Sequence, residues 1–118
     1  MPDPEMRRLV LVGFMASGKT TVGRALAEAL HWRFEDLDLH IQALEGRDIA
    51  TIFRVSGERR FREMEADVGA RLLAEDGIVL ATGGGWAVAP GRLSALPPGT
   101  VPSGRGNGSW VRKPAEIL

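Results

Sequence analysis

The 118-residue chain contains no cysteine and no excess of charge of either sign. Without cysteine it can form neither a disulfide nor a thiolate metal site, which suits a reducing compartment. Its 15 Lys and Arg residues balance its 15 Asp and Glu residues, so no basic surface predicts nucleic-acid binding. These absences favour an intracellular protein that does not bind nucleic acid.

Long hydrophobic runs are also missing, since a membrane-spanning helix needs about 20 apolar residues. The acidic start, Met1–Glu5, runs directly into a predicted strand, which is unlike a signal peptide. A chain of 118 residues is long enough for one domain. On folding, a chain of this length buries only about two thirds of the surface that its unfolded form exposes. We therefore predict a single soluble, cytoplasmic domain without a membrane partner.

Residues 13–20, Gly-Phe-Met-Ala-Ser-Gly-Lys-Thr, match the phosphate-binding pattern G-x-x-x-x-G-K-[ST] at every position. Its glycines let successive backbone N–H groups point into one cavity, where the following helix adds the positive end of its dipole. Lys19 then places a charge on the outer phosphates, and the Thr20 hydroxyl suits Mg²⁺. The alternative is a Gly-rich turn that only joins a strand to a helix.

The segments that flank this loop favour the phosphate site. A continuous apolar run precedes it, Leu9–Val12, as expected of a strand that is buried on both faces. After it, apolar residues recur at helical spacing. They are Val22, Ala25, Leu26, Ala29 and Leu30.

Two carboxylates lie at the end of the second predicted strand, which covers residues 33–38. Asp36 and Asp38 should project the same way, because strand side chains alternate between faces. Such a pair repels unless a cation or hydrogen-bond donors lie between its members. One interpretation is a metal and hydroxyl site, favoured by the phosphate loop, and the other is a solvated acidic loop.

Three helices are predicted next, over residues 39–45, 48–55 and 56–74. The third has a buried stripe that contains Phe61 and Met64, and Arg62 lies beside it. Taken alone, Arg62 is best explained by a surface ion pair with Glu58, one helical turn earlier.

Three glycines follow the apolar strand Ile78–Ala81. Gly83, Gly84 and Gly85 each cost about 0.5–1 kcal/mol of chain entropy relative to alanine in a regular element. This cost suggests that a ligand approaches the backbone closely, at the end of the sheet that the phosphate loop also faces. A flexible turn is the alternative.

The composition changes after residue 101. Residues 102–109 contain no apolar residue besides proline, and residues 110–118 show neither helical nor strand periodicity. We therefore predict a domain over residues 1–101, with a short helix at 90–96 and a strand at 100–101, and a flexible tail over residues 102–118.

Four segments together resemble the shikimate kinases, a family of P-loop small-molecule kinases, over about residues 8–101. They lie at residues 13–23, 34–38, 57–65 and 81–85, in family order and spacing. The resemblance implies an α/β fold, a three-layer sandwich around a parallel sheet of strand order 2-3-1-4-5. It also implies a monomer that transfers the ATP γ-phosphoryl group to shikimate, giving 3-phosphoshikimate for aromatic amino acid biosynthesis.

The resemblance also assigns roles to residues of this chain. Asp36 resembles the carboxylate that reaches Mg²⁺, through water, together with Thr20. Asp38 resembles the group that holds the shikimate hydroxyls and accepts the attacking proton, and Arg62 the group that binds the shikimate carboxylate. The three glycines Gly83, Gly84 and Gly85 resemble the platform under the substrate. Lys19 is implied in catalysis, and the ATP phosphates contact Gly13, Ala16, Ser17, Gly18, Lys19, Thr20 and Thr21.

The chain departs from the family after residue 101. Family members continue with two more strands, an arginine-bearing lid, a second carboxylate-binding arginine and an adenine-contacting loop, none of which can be placed in residues 102–118. We therefore expect a truncated or frame-altered chain in which the loop-bearing strand is an unpaired edge, open to association.

Two other functions stay open. A nucleotide-binding remnant without turnover agrees with a missing lid, because lid closure excludes water and supplies transition-state charge. A related kinase of gluconate type is the second alternative. The Asp36, Asp38 and Arg62 set with the triple glycine argues against it.

Overall fold

The computed structural model is an α/β fold in which helices cover both faces of a five-stranded sheet. It describes residues 5–13, 19–83, 86, 91–106 and 109–112. The elements are β1 (Arg8–Val12), α1 (Lys19–Leu30), β2 (Arg33–Asp36), α2 (Leu37–Glu45), α3 (Ile49–Leu73), β3 (Ile78–Ala81), β4 (Thr100–Gly106) and β5 (Ser109–Arg112). None of the helices in this described part is long and apolar enough to cross a bilayer.

The strand order is β2-β3-β1-β4-β5, with the first four strands parallel and β5 antiparallel to β4. The α/β class and the parallel order 2-3-1-4 implied by the family resemblance are thereby confirmed, whereas the antiparallel β5 departs from the parallel sheet that was expected. The expectation of an unpaired β1 is wrong, because β4 pairs with it from Arg8 opposite Thr100 to Val12 opposite Gly104.

The continuous apolar character of β1 follows from its position between two helical layers. Val10 and Val12 pack in the cluster that includes α2 and α3 residues, whereas Leu9 and Leu11 pack with residues of α1 on the other face. All four side chains are at most 1% exposed. Because both faces of β1 are buried, consecutive residues of this strand are apolar.

The predicted flexible tail is wrong for residues 102–106 and 109–112, which lie in β4 and β5. Ser103 is fully buried beside β1, and the pairing of β4 with β5 shifts between Gly104 and Arg105. The predicted strand at residues 100–101 is the start of β4. Composition missed the rest of β4 because backbone hydrogen bonds to a neighbouring strand need no apolar side chain, and small residues fit next to a buried strand.

Several boundaries in the helical region also differ from prediction. Helix α2 begins at Leu37, so β2 ends at Asp36 and Asp38 lies in the first helical turn. The two helices predicted over 48–74 form the single element α3, which is interrupted at Gly57 with φ 86° and ψ 162°. Asp48 is its N-cap and accepts a hydrogen bond from Thr51 N at 2.8 Å.

Residues 91–95 form turns instead of the helix predicted over 90–96, and Pro90 lies outside the described residues. On α1 the predicted stripe is correct for Leu26 and wrong for Ala25 and Ala29, which are exposed. Gly23 is buried instead, because the Phe34 ring fills the space where a Cβ would lie, 2.3 Å from Cε1.

Candidate functional site

The carboxyl ends of β1, β2 and β3 lie side by side and deliver the predicted site residues to one edge of the sheet. Leu11 and Asp36 both pair with Ala81, so the segments that follow β1, β2 and β3 begin next to one another. The predicted residues Ala16, Ser17, Gly18, Gly84 and Gly85 lie outside the described residues, and their roles stay predictions.

Lys19 is the first residue of α1, and only 8% of it is exposed. Its Nζ donates a hydrogen bond to the carbonyl oxygen of Thr82, just beyond β3. Thr82 is held in turn by Leu11, whose carbonyl oxygen accepts from Thr82 Oγ1 at 2.7 Å and from Thr82 N at 3.0 Å. The lysine of the phosphate loop therefore contacts the segment that carries the glycines.

Burial lowers the pKa of Lys19, and the nearby carboxylates of Asp38 and Asp36 oppose this shift. Thr20 and Thr21 follow in the exposed first turn of α1. Gly13, at the start of the loop, has φ 78°, a conformation that favours glycine.

Asp36 is the N-cap of α2, and its Oδ1 accepts a hydrogen bond from Leu39 N at 3.1 Å. This bond satisfies one of the free N–H groups at the helix start and explains why β2 stops there. The cap, and not strand alternation, therefore sets the direction of the two carboxylates.

Asp38 lies against the backbone of Gly83. A Cβ at residue 83 would lie 3.1 Å from both Oδ1 and Oδ2 of Asp38. Oδ1 is buried and has no hydrogen-bond partner among the described residues. Because buried polar atoms are nearly always hydrogen-bonded, an unpartnered carboxylate oxygen beside bare backbone is typical of a ligand site.

Burial is the main cause that raises the pKa of Asp38, and the negative charges of Asp36 and Glu65 act in the same direction. The positive charges of Lys19 and Arg62 oppose them. Asp38 is thus within electrostatic reach of both predicted cationic groups. The structure brings these predicted residues together at one end of the sheet.

Glu65 is a site residue that the sequence reasoning missed. It is 1% exposed, and its Oε1 accepts from Arg62 Nη1 at 2.7 Å, whereas Arg62 Nη2 lies 3.7 Å from Glu58 Oε1. The predicted ion pair between Arg62 and Glu58 is therefore present, but it is weaker than the contact between Arg62 and Glu65. Helical spacing could have identified Glu65, which lies four residues after Phe61 and three before Val68 on the buried face.

Arg62 is held in a fixed orientation by its neighbours. Its Cζ lies 5.6 Å from the Phe61 ring centroid and 5.9 Å from that of Phe53. The hydrogen bond to Glu65 is the main cause that raises the pKa of Arg62. The guanidinium is therefore permanently charged, and 34% of the side chain stays exposed to a ligand.

If the chain catalyses the reaction that the family resemblance implies, Gly83→Ala should lower kcat without unfolding the chain. The new methyl group would push the Asp38 carboxylate by a few tenths of an ångström, and misplacing a reacting group by about 1 Å costs about 10²-fold. We expect a loss of about tenfold in kcat, measured with unchanged far-UV circular dichroism. In an Asp38→Asn background the same substitution should have little further effect, and additive losses would contradict the contact.

Comparison with known proteins gives a consistent result. The sequence model of the shikimate kinase family matches residues 15–104. A shikimate kinase of Shewanella amazonensis is 53% identical over 81 residues, which cover 69% of this chain and 47% of that protein. The chain thus spans about half the length of the curated relatives it matches.

Solved structures show the same similarity. Shikimate kinase from Aquifex aeolicus superposes with a TM-score of 0.70 at 40% identity, covering 74% of this chain and 55% of that one. The enzyme from Acinetobacter baumannii, solved in complex with shikimate, has a TM-score of 0.66 at 45% identity, covering 70% and 46%. A family match over most of the residues, a relative that is 53% identical and a shared fold lead to one conclusion: the chain belongs to the shikimate kinase family.

Proposed function

We propose that this chain carries the phosphate loop and the substrate site of a kinase that transfers the γ-phosphoryl group of ATP to a ring hydroxyl of shikimate, giving 3-phosphoshikimate. The observation that supports this most directly is the unpartnered Asp38 Oδ1. It lies against Gly83, within electrostatic reach of Lys19 and Arg62. A polyhydroxylated carboxylate matches this set, with hydroxyls on Asp38 and a carboxylate on Arg62.

In this proposal, residues 13–21 bind the ATP phosphates, and Lys19 neutralises charge on the transferring group. Phosphoryl transfer demands mainly positioning and charge stabilisation from the protein. The Lys19 ammonium, now bonded to the Thr82 carbonyl, is preplaced beside the substrate platform. It would exchange this carbonyl for a phosphate oxygen of ATP, which is the stronger partner because the bond is then charge-assisted at both ends.

Mg²⁺ fits the residues at this edge. Thr20 offers a hydroxyl in an exposed first turn, and Asp36 offers a carboxylate that α2 holds in place. The described residues contain no cluster of three or more acidic, His or Cys side chains suited to a metal. Mg²⁺ in kinases is commonly bound by one or two protein ligands together with phosphates, so these two groups suffice. The ion would neutralise charge on the phosphates.

Asp38 is proposed as the group that orients the attacking hydroxyl and accepts its proton. Its raised pKa makes it a stronger base than an exposed carboxylate. Arg62 and the Gly83–Gly85 backbone would fix the ring so that a single hydroxyl reaches the γ-phosphate.

The test is a coupled assay for ADP release by the purified 118-residue chain. Shikimate-dependent turnover would support the proposal and exclude a nucleotide-binding remnant. ATP binding without turnover would support the remnant, and turnover with gluconate but not with shikimate would support the other kinase. Calorimetric titrations with ATP and shikimate separate a binding defect from a catalytic one.

Glu65→Gln should raise the KM for shikimate by about tenfold, because the hydrogen bond that orients Arg62 loses its charge assistance. The KM for ATP should stay within about twofold, since the phosphate loop is untouched. The matched control is Glu58→Gln, which neutralises the exposed and more distant partner of the same arginine. Equal effects of the two variants would contradict a positioning role for Glu65.

We further propose that the family-like part ends near Gly104 and that the residues after it have a different origin. The family match stops there, and the strand pairing becomes irregular between Gly104 and Arg105. A cytoplasmic monomer that acts in aromatic amino acid biosynthesis remains the proposal for location, assembly and pathway. The cysteine-free composition agrees with this location.

A further inference from the structure

A cavity of about 340 Å³ lies between α3 and the turns at residues 91–97. Helix α3 lines it with Ala66, Ala70 and Leu73, and Trp86 and Arg92 contribute an indole and a guanidinium. This volume is at the small end of the range for ligand pockets, roughly 300–1,000 Å³. The cavity therefore has room for a molecule built on one ring.

Arg92 has a positive charge with no carboxylate partner in the described part of the chain. Its Nη2 donates to the Arg62 carbonyl oxygen at 3.1 Å, and its Cζ lies 5.5 Å from the Trp86 ring centroid. Its Nη1 is buried and lacks a hydrogen-bond partner among the described residues. A half-buried guanidinium with a free donor favours an anionic partner.

Trp86 has the complementary apolar character. It is 4% exposed, and its Nε1 is buried without a partner among the residues described. The indole edge lies over α3, since a Cβ at Gly69 would be 3.3 Å from Nε1. Ala66 and Ala70 line the same cavity and are exposed, and their short side chains leave space for a planar ring beside the indole.

We propose that this cavity binds a small aromatic carboxylate, with its ring between Trp86 and the alanines of α3 and its carboxylate on Arg92. Arg92 Nη1 and Trp86 Nε1 are both buried, so a ligand can reach them only after the partly exposed Arg92 side chain has rotated. The site uses none of the groups assigned to shikimate or ATP. The benzoate test can therefore fail or succeed independently of the proposed kinase activity.

The test uses sodium benzoate as the probe and NMR of the ¹⁵N-labelled 118-residue chain as the readout. The chain has three tryptophans, and Trp86→Phe assigns the Trp86 indole N–H signal. We expect a saturable shift of that signal with a dissociation constant on the order of 1 mM, as for other fragments. Benzyl alcohol, which has the ring without the charge, should bind at least about tenfold more weakly.

Arg92→Gln should weaken benzoate binding at least about tenfold, whereas Arg59→Gln, which removes an exposed arginine of α3, should not. Ala70→Leu keeps Arg92 and fills the cavity, so it should abolish the shift even if Arg92→Gln folds poorly. Arg62→Gln should leave the shift unchanged, because the hydrogen bond from Arg92 goes to the backbone carbonyl oxygen of Arg62, which the substitution keeps. Three results would each overturn the proposal. They are the absence of a saturable shift up to about 20 mM benzoate, equal affinities for benzyl alcohol and benzoate, and equal losses of benzoate affinity in Arg59→Gln and Arg92→Gln.

Discussion

Lys19→Ala is expected to abolish ATP binding while the far-UV circular dichroism spectrum stays unchanged. The ammonium is the cationic side chain of the phosphate loop, and removing one such group from a preorganised site costs about 10²-fold or more. Among the described residues, the Lys19 ammonium donates to the Thr82 carbonyl oxygen, which can bond to water instead. The loss should therefore be confined to nucleotide binding.

Calorimetric titration with ATP measures this effect directly. Lys113→Ala is the matched control, because it removes the other lysine of the chain and should leave ATP affinity within about twofold. Lys19→Arg keeps the charge but changes the shape of the donor, so it should restore little of the affinity. ATP affinity retained in Lys19→Ala would rule out the proposed phosphate site.

Asp38→Asn is expected to lower kcat by about 10²–10⁴-fold, the usual range for loss of a general base. An amide can still hold a shikimate hydroxyl but accepts no proton at neutral pH. Shikimate affinity should consequently fall much less than kcat, which calorimetry and single-turnover kinetics can separate. A kcat within a few-fold of the parent chain would show that Asp38 only binds substrate.

The same substitution should raise the free energy of unfolding at neutral pH. Because the pKa of Asp38 is raised in the folded state, the folded chain binds more protons than the unfolded chain between the ordinary value of 3.8 and the raised value. The free energy of unfolding of the parent chain thus falls as pH rises through that window. The Asp38→Asn variant lacks this titrating group and does not show that loss. The advantage of the variant should vanish below pH 3.8.

Asp48→Asn provides a control of opposite sign. Asp48 is the exposed N-cap of α3, and its hydrogen bonds to Thr51 lower its pKa in the folded state. Its carboxylate therefore stabilises the parent chain above the ordinary pKa, and this contribution is lost as pH falls. Denaturant unfolding measured from neutral to acidic pH should show the two variants diverging from the parent in opposite directions.

The phosphate loop and the central strands could be predicted because their signals are local. The pattern at residues 13–20 and the apolar runs of β1 and β3 each reflect short-range requirements, namely a tight turn and burial on both faces. The stripe of Phe61, Met64, Val68 and Leu72 on α3 was likewise correct, because helical period and burial coincide there.

Residues 102–106 and 109–112 were misjudged because a strand can depend on a partner that is distant in the sequence. β4 acquires its structure from backbone pairing with β1, about 90 residues earlier. A run of Gly, Ser and Pro gives no local signal for such pairing. The missed β4 in turn produced the wrong expectation of an unpaired loop-bearing strand.

By itself, the sequence determined the chemical inventory: a phosphate loop, two nearby carboxylates, an arginine and a glycine platform in the order of one kinase family. Only the tertiary structure decided which of these groups meet. It placed Asp38 against Gly83, bonded Lys19 to Thr82 and gave Arg62 the buried partner Glu65 in preference to exposed Glu58. The physical reason is that burial and charge act through space, so contacts between strand ends and helix turns are settled by packing and not by neighbours in the chain.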